Sequence, residues 1–224
     1  MPLRPRLTAA AGALVAALVC AAPASARIVE IGASAAEATP TCPSSPCLAV
    51  SRTTGYQAKV VDSRAAYIVP ADGRIVAWTI GLGSPDERQI EFFEDNYGEA
   101  SAGLTILRRG KRLYHRVMAA TPVIRLQSYF GQKVQFPLTT SIPVKKGYVV
   151  GLTVPTWAPA LGLGLPRTSV WRASRAVDGC DDTQTQTAQT DINDLARYKC
   201  YYRTARLTYS ATLITSPVPP KTAK

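Results

Sequence analysis

Residues 205–213 read Ala-Arg-Leu-Thr-Tyr-Ser-Ala-Thr-Leu, and this alternation of apolar and polar side chains decides the fold class. Successive side chains of a β-strand point to opposite faces, so every second residue shares a face. The apolar face carries Leu207, Tyr209, Ala211 and Leu213, and the polar face carries Arg206, Thr208, Ser210 and Thr212. The stretch therefore predicts a half-buried strand whose apolar face packs on a core.

Other strand signals recur along the chain, whereas helix signals are almost absent. Six stretches are rich in β-branched and aromatic residues and bounded by Gly or Pro: 74–80, 104–107, 113–118, 123–126, 134–138 and 148–154. The pair 104–107 and 113–118 flanks Arg108-Arg-Gly-Lys111 and predicts a hairpin. A short helix near 191–196 is the only helix that we expect. Many short strands without interleaved helices predict an all-β protein, a single antiparallel jelly-roll-like β-sandwich over residues 42–215.

The N-terminus has the pattern of a secretory signal peptide. Arg4 and Arg6 precede an apolar run over 7–19, and Ala24-Ser25-Ala26 supplies the small residues of a cleavage site. We expect residues 1–26 to be removed, followed by an N-terminal arm or linker over 27–41. The apolar run is shorter than the roughly 20 residues that an uncleaved membrane anchor needs, and no other run of that length follows. We therefore expect a secreted protein without a transmembrane segment, with a disordered tail over 216–224.

Four of the five cysteines lie beyond the predicted signal peptide, at positions 42, 47, 180 and 200. An even count in an exported protein indicates disulfides. Three pairings are possible, and we favour Cys42 with Cys47 and Cys180 with Cys200; a zinc site is the alternative. The polar segment between the last two cysteines, 178–199, is predicted to be a long surface loop.

The chain is basic, with 26 Lys and Arg against 15 Asp and Glu and a net charge of +11. Such a balance favours anionic partners outside the cell, or simply aids solubility. The densest basic stretch, 108–116, surrounds Tyr114 and His115. His115 is the only histidine, and its place on a charged hairpin predicts a solvated side chain rather than a catalytic base.

Four segments together resemble an uncharacterised family of secreted actinobacterial β-sandwich proteins. They are Pro70-Ala-Asp-Gly-Arg-Ile-Val-Ala-Trp78, Leu104-Thr-Ile-Leu-Arg108, Ile142-Pro-Val-Lys-Lys-Gly147, and Gly151-Leu-Thr-Val-Pro-Thr-Trp-Ala-Pro-Ala-Leu161. The resemblance runs from the Cys42–Cys47 loop through Ala205-Arg-Leu-Thr-Tyr209. It implies export and a jelly-roll-like sandwich but no activity. Many relatives carry an acidic residue where this chain has Tyr148.

Carboxylates are concentrated in two stretches. Those of 86–99 lie beside Asn96-Tyr97-Gly98, a turn signature, and predict a solvated acidic loop; the alternatives are a cation site or a catalytic pair of Glu91 and Glu94. The second stretch supplies Asp178, Asp181 and Asp182, which predict an ordinary charged loop or, less readily, a structural calcium ion. We expect no nucleotide cofactor, because Gly162-Leu-Gly164 lacks the context of a phosphate loop.

Aromatic residues suggest the most concrete ligand site. Trp157 lies between Pro155 and Pro159, and a rigid loop of this kind presents an indole for stacking on a sugar ring. Trp171, Tyr97 and Tyr129 are candidates to join it, although large aromatics near strand ends are often core residues. Trp78 is expected in the core, and Tyr201-Tyr202 against the second disulfide.

The sequence therefore predicts a non-catalytic secreted module, free or associated with the cell wall, that binds a glycan or an anionic wall polymer. A secreted polysaccharide hydrolase using the carboxylates of 91–99 is the first alternative. A purely structural or interaction protein is the second.

Overall fold

Two antiparallel sheets pack against each other and enclose the core, which confirms the all-β prediction. A computed structural model describes residues 25–33 and 37–217 of the chain. The smaller sheet has the order β1 (Ile28–Ile31), β14 (Tyr209–Thr215), β3 (Gly73–Gly81) and β7 (Lys133–Val144). Every pairing is antiparallel.

The larger sheet curls into a half-barrel, and jelly-roll connectivity is not confirmed. Its strands run in the order β11 (Leu195–Arg197), β5 (Tyr114–Ala120), β4 (Ser101–Arg109), β8 (Val149–Ala158), β2 (Val50–Lys59), β10 (Val170–Ala173) and β12 (Cys200–Arg203), with β6 (Ile124–Arg125) beside β4. A short ribbon pairs β9 (Leu161–Gly162) with β13 (Arg206–Leu207). The predicted hairpin is confirmed as β4 and β5.

The main core lies between the sheets, and the alternation of residues 205–213 is confirmed there. Leu207, Tyr209, Ala211 and Leu213 are all buried in it, together with Trp78. Arg206, on the polar face of the pattern, is nevertheless buried, and its Nη2 donates to the Gly32 carbonyl at 2.9 Å.

Residues 86–99 correct the sequence prediction most directly, because they form a helix rather than an acidic loop. α1 (Glu87–Tyr97) begins with a capping box, in which the Asp86 side chain accepts from the Gln89 backbone N–H and the Gln89 side chain accepts in return. It ends at Gly98, whose φ of 84° favours glycine. No helix forms over 191–196, where the chain enters β11.

Part of the predicted N-terminal arm is also a correction. Residues 28–31 form edge strand β1, and the Arg27 N–H donates to Thr215 Oγ1 at 2.9 Å. The predicted signal peptide spans residues 1–26. Its residues 1–24 lie outside the described residues, and only Ser25 and Ala26 are described. The predicted tail from 218 onward is also outside the described residues.

Both predicted disulfides are confirmed, Cys42 with Cys47 and Cys180 with Cys200. They indicate an oxidising, extracellular environment. Among the described residues, no helix is both long and apolar enough to cross a membrane.

The segment 178–199, the covering segment, crosses the outer face of the larger sheet, the face turned away from the smaller sheet, and ends in edge strand β11 of that sheet. Thr54 Oγ1 bonds with the Gln189 backbone, and Val117 exchanges backbone bonds with Asn193 and Asp194. Beneath the segment lies a second apolar cluster, the outer cluster, formed by Tyr56, Leu107, Val117, Val149 and Tyr198. The larger sheet therefore carries buried residues on both faces, over only part of the outer one.

Replacing both Cys180 and Cys200 by Ser should lower the free energy of unfolding by about 3 kcal/mol, because the bridge closes a loop with a sequence separation of 20. Limited proteolysis should then cut within 181–199 first. The Cys42→Ser, Cys47→Ser variant is the matched control, since its separation of 5 makes the expected loss about 1 kcal/mol smaller. Equal losses in urea denaturation would contradict the stabilising role of the covering segment.

Candidate functional site

Trp157 is not available to a ligand, which corrects the most concrete sequence prediction. The indole is fully buried, stacks on Phe93 of α1 at 4.6 Å between ring centroids, and donates from Nε1 to the Gly98 carbonyl at 2.9 Å. Its segment is the end of strand β8 rather than a loop, because Val50 and Ser51 of β2 pair with it. Trp157 is a core residue that α1 covers.

The other predicted aromatics do not gather around Trp157. Trp171 is buried and stacks on Tyr202 at 4.3 Å, so it is also a correction. Tyr129 packs half-buried against Phe136 at 5.1 Å. Tyr97 alone lines a cleft, of about 460 Å³, where the Arg52 guanidinium lies 5.5 Å from its ring centroid. These aromatics form no common sugar platform.

Glu91 and Glu94 project from successive turns of α1 rather than across a substrate groove. Glu91 is exposed, and Glu94 accepts a hydrogen bond from Gln127 Nε2. Neither residue lines any of the clefts of about 290, 460 and 560 Å³ found in the described part of the chain. The hydrolase alternative therefore gains no support from the geometry.

Asp178, Asp181 and Asp182 do not converge on a cation. Asp182 instead organises its own loop, accepting from the Gln184 and Thr185 backbone N–H groups at 2.9 and 3.0 Å. These bonds, with that of the Thr185 hydroxyl as the largest contribution, hold the pKa of the Asp182 carboxyl well below its usual range. Within 25–33 and 37–217 no three metal-ligating side chains cluster. A structural calcium ion stays the alternative to an ordinary charged loop.

The structure brings together a different set of side chains, on the outer face of the larger sheet. On β10, Trp171 and Ala173 point into the main core, so Arg172 between them points outward. Its cross-strand neighbours are Tyr201 on β12 and Tyr56 on β2. At the other side of the sheet, Arg109 of β4 pairs with His115 of β5.

We name this surface the basic aromatic face. Its members are Tyr56, Arg109, His115, Arg172, Tyr198, Tyr201 and Arg203. Tyr201, which is 43% exposed, has the guanidinium carbons of Arg172 and Arg203 at 4.6 and 5.3 Å from its ring centroid. The expectation that Tyr201 packs on the disulfide was therefore wrong, whereas Tyr202 donates to the Cys180 carbonyl.

The positive charge of this face is not neutralised by ion pairs. The four salt bridges of the described residues involve Lys59, Arg125, Lys133 and Lys145 only. Arg172 donates instead to the Tyr198 and Lys199 carbonyls, at 3.1 and 3.3 Å, which fixes its position but leaves its charge. Asp194, whose charge acts on Tyr198, accepts from the Asp191 backbone N–H at 3.3 Å. The face thus carries three guanidinium groups, of Arg109, Arg172 and Arg203, without an ion pair among the described residues.

His115 is buried beneath this face, which corrects the prediction of a solvated side chain. It is 3% exposed and packs against Tyr56 and Tyr198, each at 4.9 Å between centroids. Nδ1 bonds with the Leu113 carbonyl at 3.0 Å; a carbonyl only accepts, so Nδ1 carries the proton. Nε2 and the Tyr198 hydroxyl are both buried and have no partner among the described residues.

Burial lowers the pKa of His115 to about 4, and the nearby Arg109 and Arg172 add to the effect against the Leu113 hydrogen bond. Burial likewise raises the pKa of Tyr56 and Tyr198. The three rings are therefore neutral at physiological pH and form an apolar base for the arginines. An imidazole enclosed in this way has no access to a substrate, so His115 is a packing residue.

Sequence reasoning missed this face because its members come from five strands and the covering segment. The one local signal was that Tyr201 and Arg203 lie two residues apart, on either side of Tyr202, and so share a face of a strand. Comparisons of the chain with protein families, curated proteins and solved structures find no match.

Trp157→Ala should lower the free energy of unfolding by about 3–5 kcal/mol, because it empties a filled core position and removes the bond to Gly98. Phe92→Ala on α1 is the control: Phe92 is 60% exposed, and we expect a change within about 0.5 kcal/mol. Urea denaturation measures both. A loss below about 1 kcal/mol for Trp157→Ala would show that the indole is not in the core.

Stability should fall as the pH drops from about 6.5 to about 4, because unfolded His115 takes up a proton in this window and folded His115 does not. The loss should approach about 2–3 kcal/mol near pH 4. His115→Phe removes the titrating group, so the difference between the two pH profiles of unfolding isolates its contribution from that of the carboxylates. Parallel profiles would contradict a buried neutral imidazole.

Proposed function

We propose that this protein is a non-catalytic extracellular binding module whose basic aromatic face holds an anionic polymer of the cell envelope. The observation that carries the proposal is the exposed Tyr201 ring flanked by Arg172 and Arg203, with no carboxylate paired to either guanidinium in the described part of the chain. Arg109 extends the positive surface across the sheet.

The chemistry of the face matches such a ligand. Guanidinium groups form bidentate hydrogen bonds with phosphate and carboxylate groups, and an exposed aromatic ring stacks on the apolar face of a sugar unit. The excess of basic residues, +11 over the full sequence including Arg4 and Arg6 of the predicted signal peptide, adds a long-range attraction for polyanions. An acidic polysaccharide or a phosphate-containing wall polymer combines both features.

The cellular location of the protein and its family resemblance are also part of the proposal. The disulfides support an extracellular site of action, and the N-terminal pattern supports export through a signal peptide. Retention at the wall follows from polymer binding. The resemblance to secreted actinobacterial β-sandwich proteins is consistent with this role.

The test measures binding of the purified protein to polygalacturonate, to poly(glycerol phosphate) and to neutral dextran by isothermal titration calorimetry at low and high salt. We expect binding to a polyanion that weakens with salt, and none to dextran. Arg109→Gln with Arg203→Gln should weaken it about tenfold, since each exposed charge contact is worth up to about 1 kcal/mol.

Arg74→Gln with Arg88→Gln is the matched control, because both arginines are exposed and lie on the smaller sheet and on α1. This control loses the same charge outside the face, so it should bind almost as well as the unchanged protein. Equal weakening by the two double variants would reduce the effect to net charge and overturn the proposed face. No binding to either polyanion would overturn the function and favour an interaction protein.

A further inference from the structure

The free end of β4 and β5 carries an arginine pair on the inner side of the larger sheet, the side turned towards the smaller sheet. Leu107 pairs with Val117, and both belong to the outer cluster. Successive residues of a strand point to opposite sides, so the next pair, Arg108 with Arg116, points to the inner side. The basic aromatic face lies on the other side of the sheet.

Strand β11 extends this inner side by two further residues. Leu195 pairs with Arg116, and Arg197 pairs with Tyr114. Ala196, between Leu195 and Arg197, packs on the outer cluster, so its two neighbours point to the inner side. The guanidinium carbon of Arg197 lies 5.9 Å from the ring centroid of Tyr114, which places these two side chains together there.

We name this group the edge patch. Its members are Arg108, Tyr114, Arg116, Leu195 and Arg197. Arg108 is exposed, and Tyr114 and Leu195 are 39% and 53% exposed, so the smaller sheet leaves these three side chains open to solvent. Within residues 25–33 and 37–217, none of the three guanidinium groups of the patch belongs to a salt bridge. The patch therefore combines positive charge with exposed apolar surface.

Charge repulsion within the edge patch favours an anionic partner. Arg108 and Arg116 lie directly opposite each other on neighbouring strands, and like charges in that position destabilise a sheet. Arg116 donates to the Asn193 carbonyl at 2.8 Å, a bond that leaves its charge in place. Asp194, which precedes β11, acts electrostatically on Tyr198 of the outer cluster, on the opposite side. A negatively charged surface against the patch would offset the repulsion.

The apolar members of the patch favour a lipid surface over a soluble polyanion. Leu195, more than half exposed, gains free energy when its side chain leaves water. A membrane interface offers apolar surroundings for it, and a hydrated polyanion does not. Tyrosine is enriched at membrane interfaces, where arginine buries its aliphatic stem and keeps its guanidinium among the headgroups.

We propose that the edge patch docks this protein on a membrane surface that contains anionic lipids. The three guanidinium groups meet the lipid phosphates, and the Tyr114 and Leu195 side chains enter the headgroup region. The docking does not depend on polymer binding, because the basic aromatic face lies on the opposite side of the sheet. A module with both surfaces would join the membrane to the polymer.

The test measures co-sedimentation of the protein, purified after export, with vesicles of phosphatidylcholine alone or mixed equally with phosphatidylglycerol. We expect binding to the mixed vesicles that weakens with salt, and little binding to phosphatidylcholine. Arg108→Gln with Arg197→Gln should lower the partition coefficient about tenfold, because two attractions to the anionic surface are lost. Absence of binding to the mixed vesicles would overturn the proposal.

Arg74→Gln with Arg88→Gln is again the matched control, since it removes the same charge from exposed positions outside the edge patch. We expect this control to bind the mixed vesicles almost as well as the unchanged protein. Equal weakening by the two double variants would make the effect one of net charge and contradict the patch. Loss of Arg108 relieves a repulsion, so the variant should fold, and thermal unfolding checks this.

Leu195→Ser tests the apolar contact. It should lower the partition coefficient about fivefold, because the leucine no longer leaves water on docking, and should not change binding to polygalacturonate or poly(glycerol phosphate). Phe92→Ser is the control: Phe92 is 60% exposed but lies on α1. An unchanged partition coefficient for Leu195→Ser would rule out docking on lipid.

Three outcomes separate the edge patch from the proposed function. Vesicle binding that depends on Arg108 and Leu195, in a protein that binds neither polyanion, would retain the patch and overturn the polymer. Vesicle binding that depends on Arg109 and Arg203 instead would place the lipid on the basic aromatic face and refute the patch. Polyanion binding weakened equally by Arg108→Gln with Arg197→Gln and by Arg109→Gln with Arg203→Gln would make the patch a polymer contact and refute the lipid assignment.

Discussion

Burial of the larger sheet on both of its faces is the constraint on which the rest of the structure depends. The inner face packs on the smaller sheet, and the outer face carries buried threonines whose hydroxyls bond with one another and with the covering segment: Thr54 with Thr153 at 3.0 Å, and Thr54 with Gln189 at 3.0 Å. Such groups need partners when water is excluded. The covering segment supplies them, so its attachment is part of the fold.

Two features hold the covering segment in place. The Cys180–Cys200 bridge closes it covalently, and Arg175 links its start to β2 by donating to both the Cys180 and the Ser51 carbonyls. Because the segment covers only part of the outer face, the strip beside it stays accessible. That strip holds Arg172, Tyr201 and Arg203, and its charge is unpaired within the described residues. The covering segment therefore completes the fold and also forms one boundary of the proposed binding surface.

Trp157 shows why a local pattern gave the wrong site. Two flanking prolines are typical of a rigid exposed loop, yet here the residues belong to strand β8 and the indole faces α1. That helix was itself missed, because its acids and Asn96-Tyr97-Gly98 favour a turn. The Asp86 and Gln89 capping box, followed by Ile90 and Phe93 three residues apart, was the signal for the helix.

The sequence by itself determined the all-β class, the apolar face of residues 205–213 and the favoured pairing of both disulfides, because strand alternation and cysteine spacing are local properties. It did not show the strands β1, β2, β10 and β12. Only the tertiary structure decided which aromatics are exposed. Burial depends on what covers a residue: α1 covers Trp157, and the covering segment encloses His115 while leaving Tyr201 open. The cross-strand register that sets Arg172 beside Tyr201 joins residues 29 positions apart, and no local pattern encodes it.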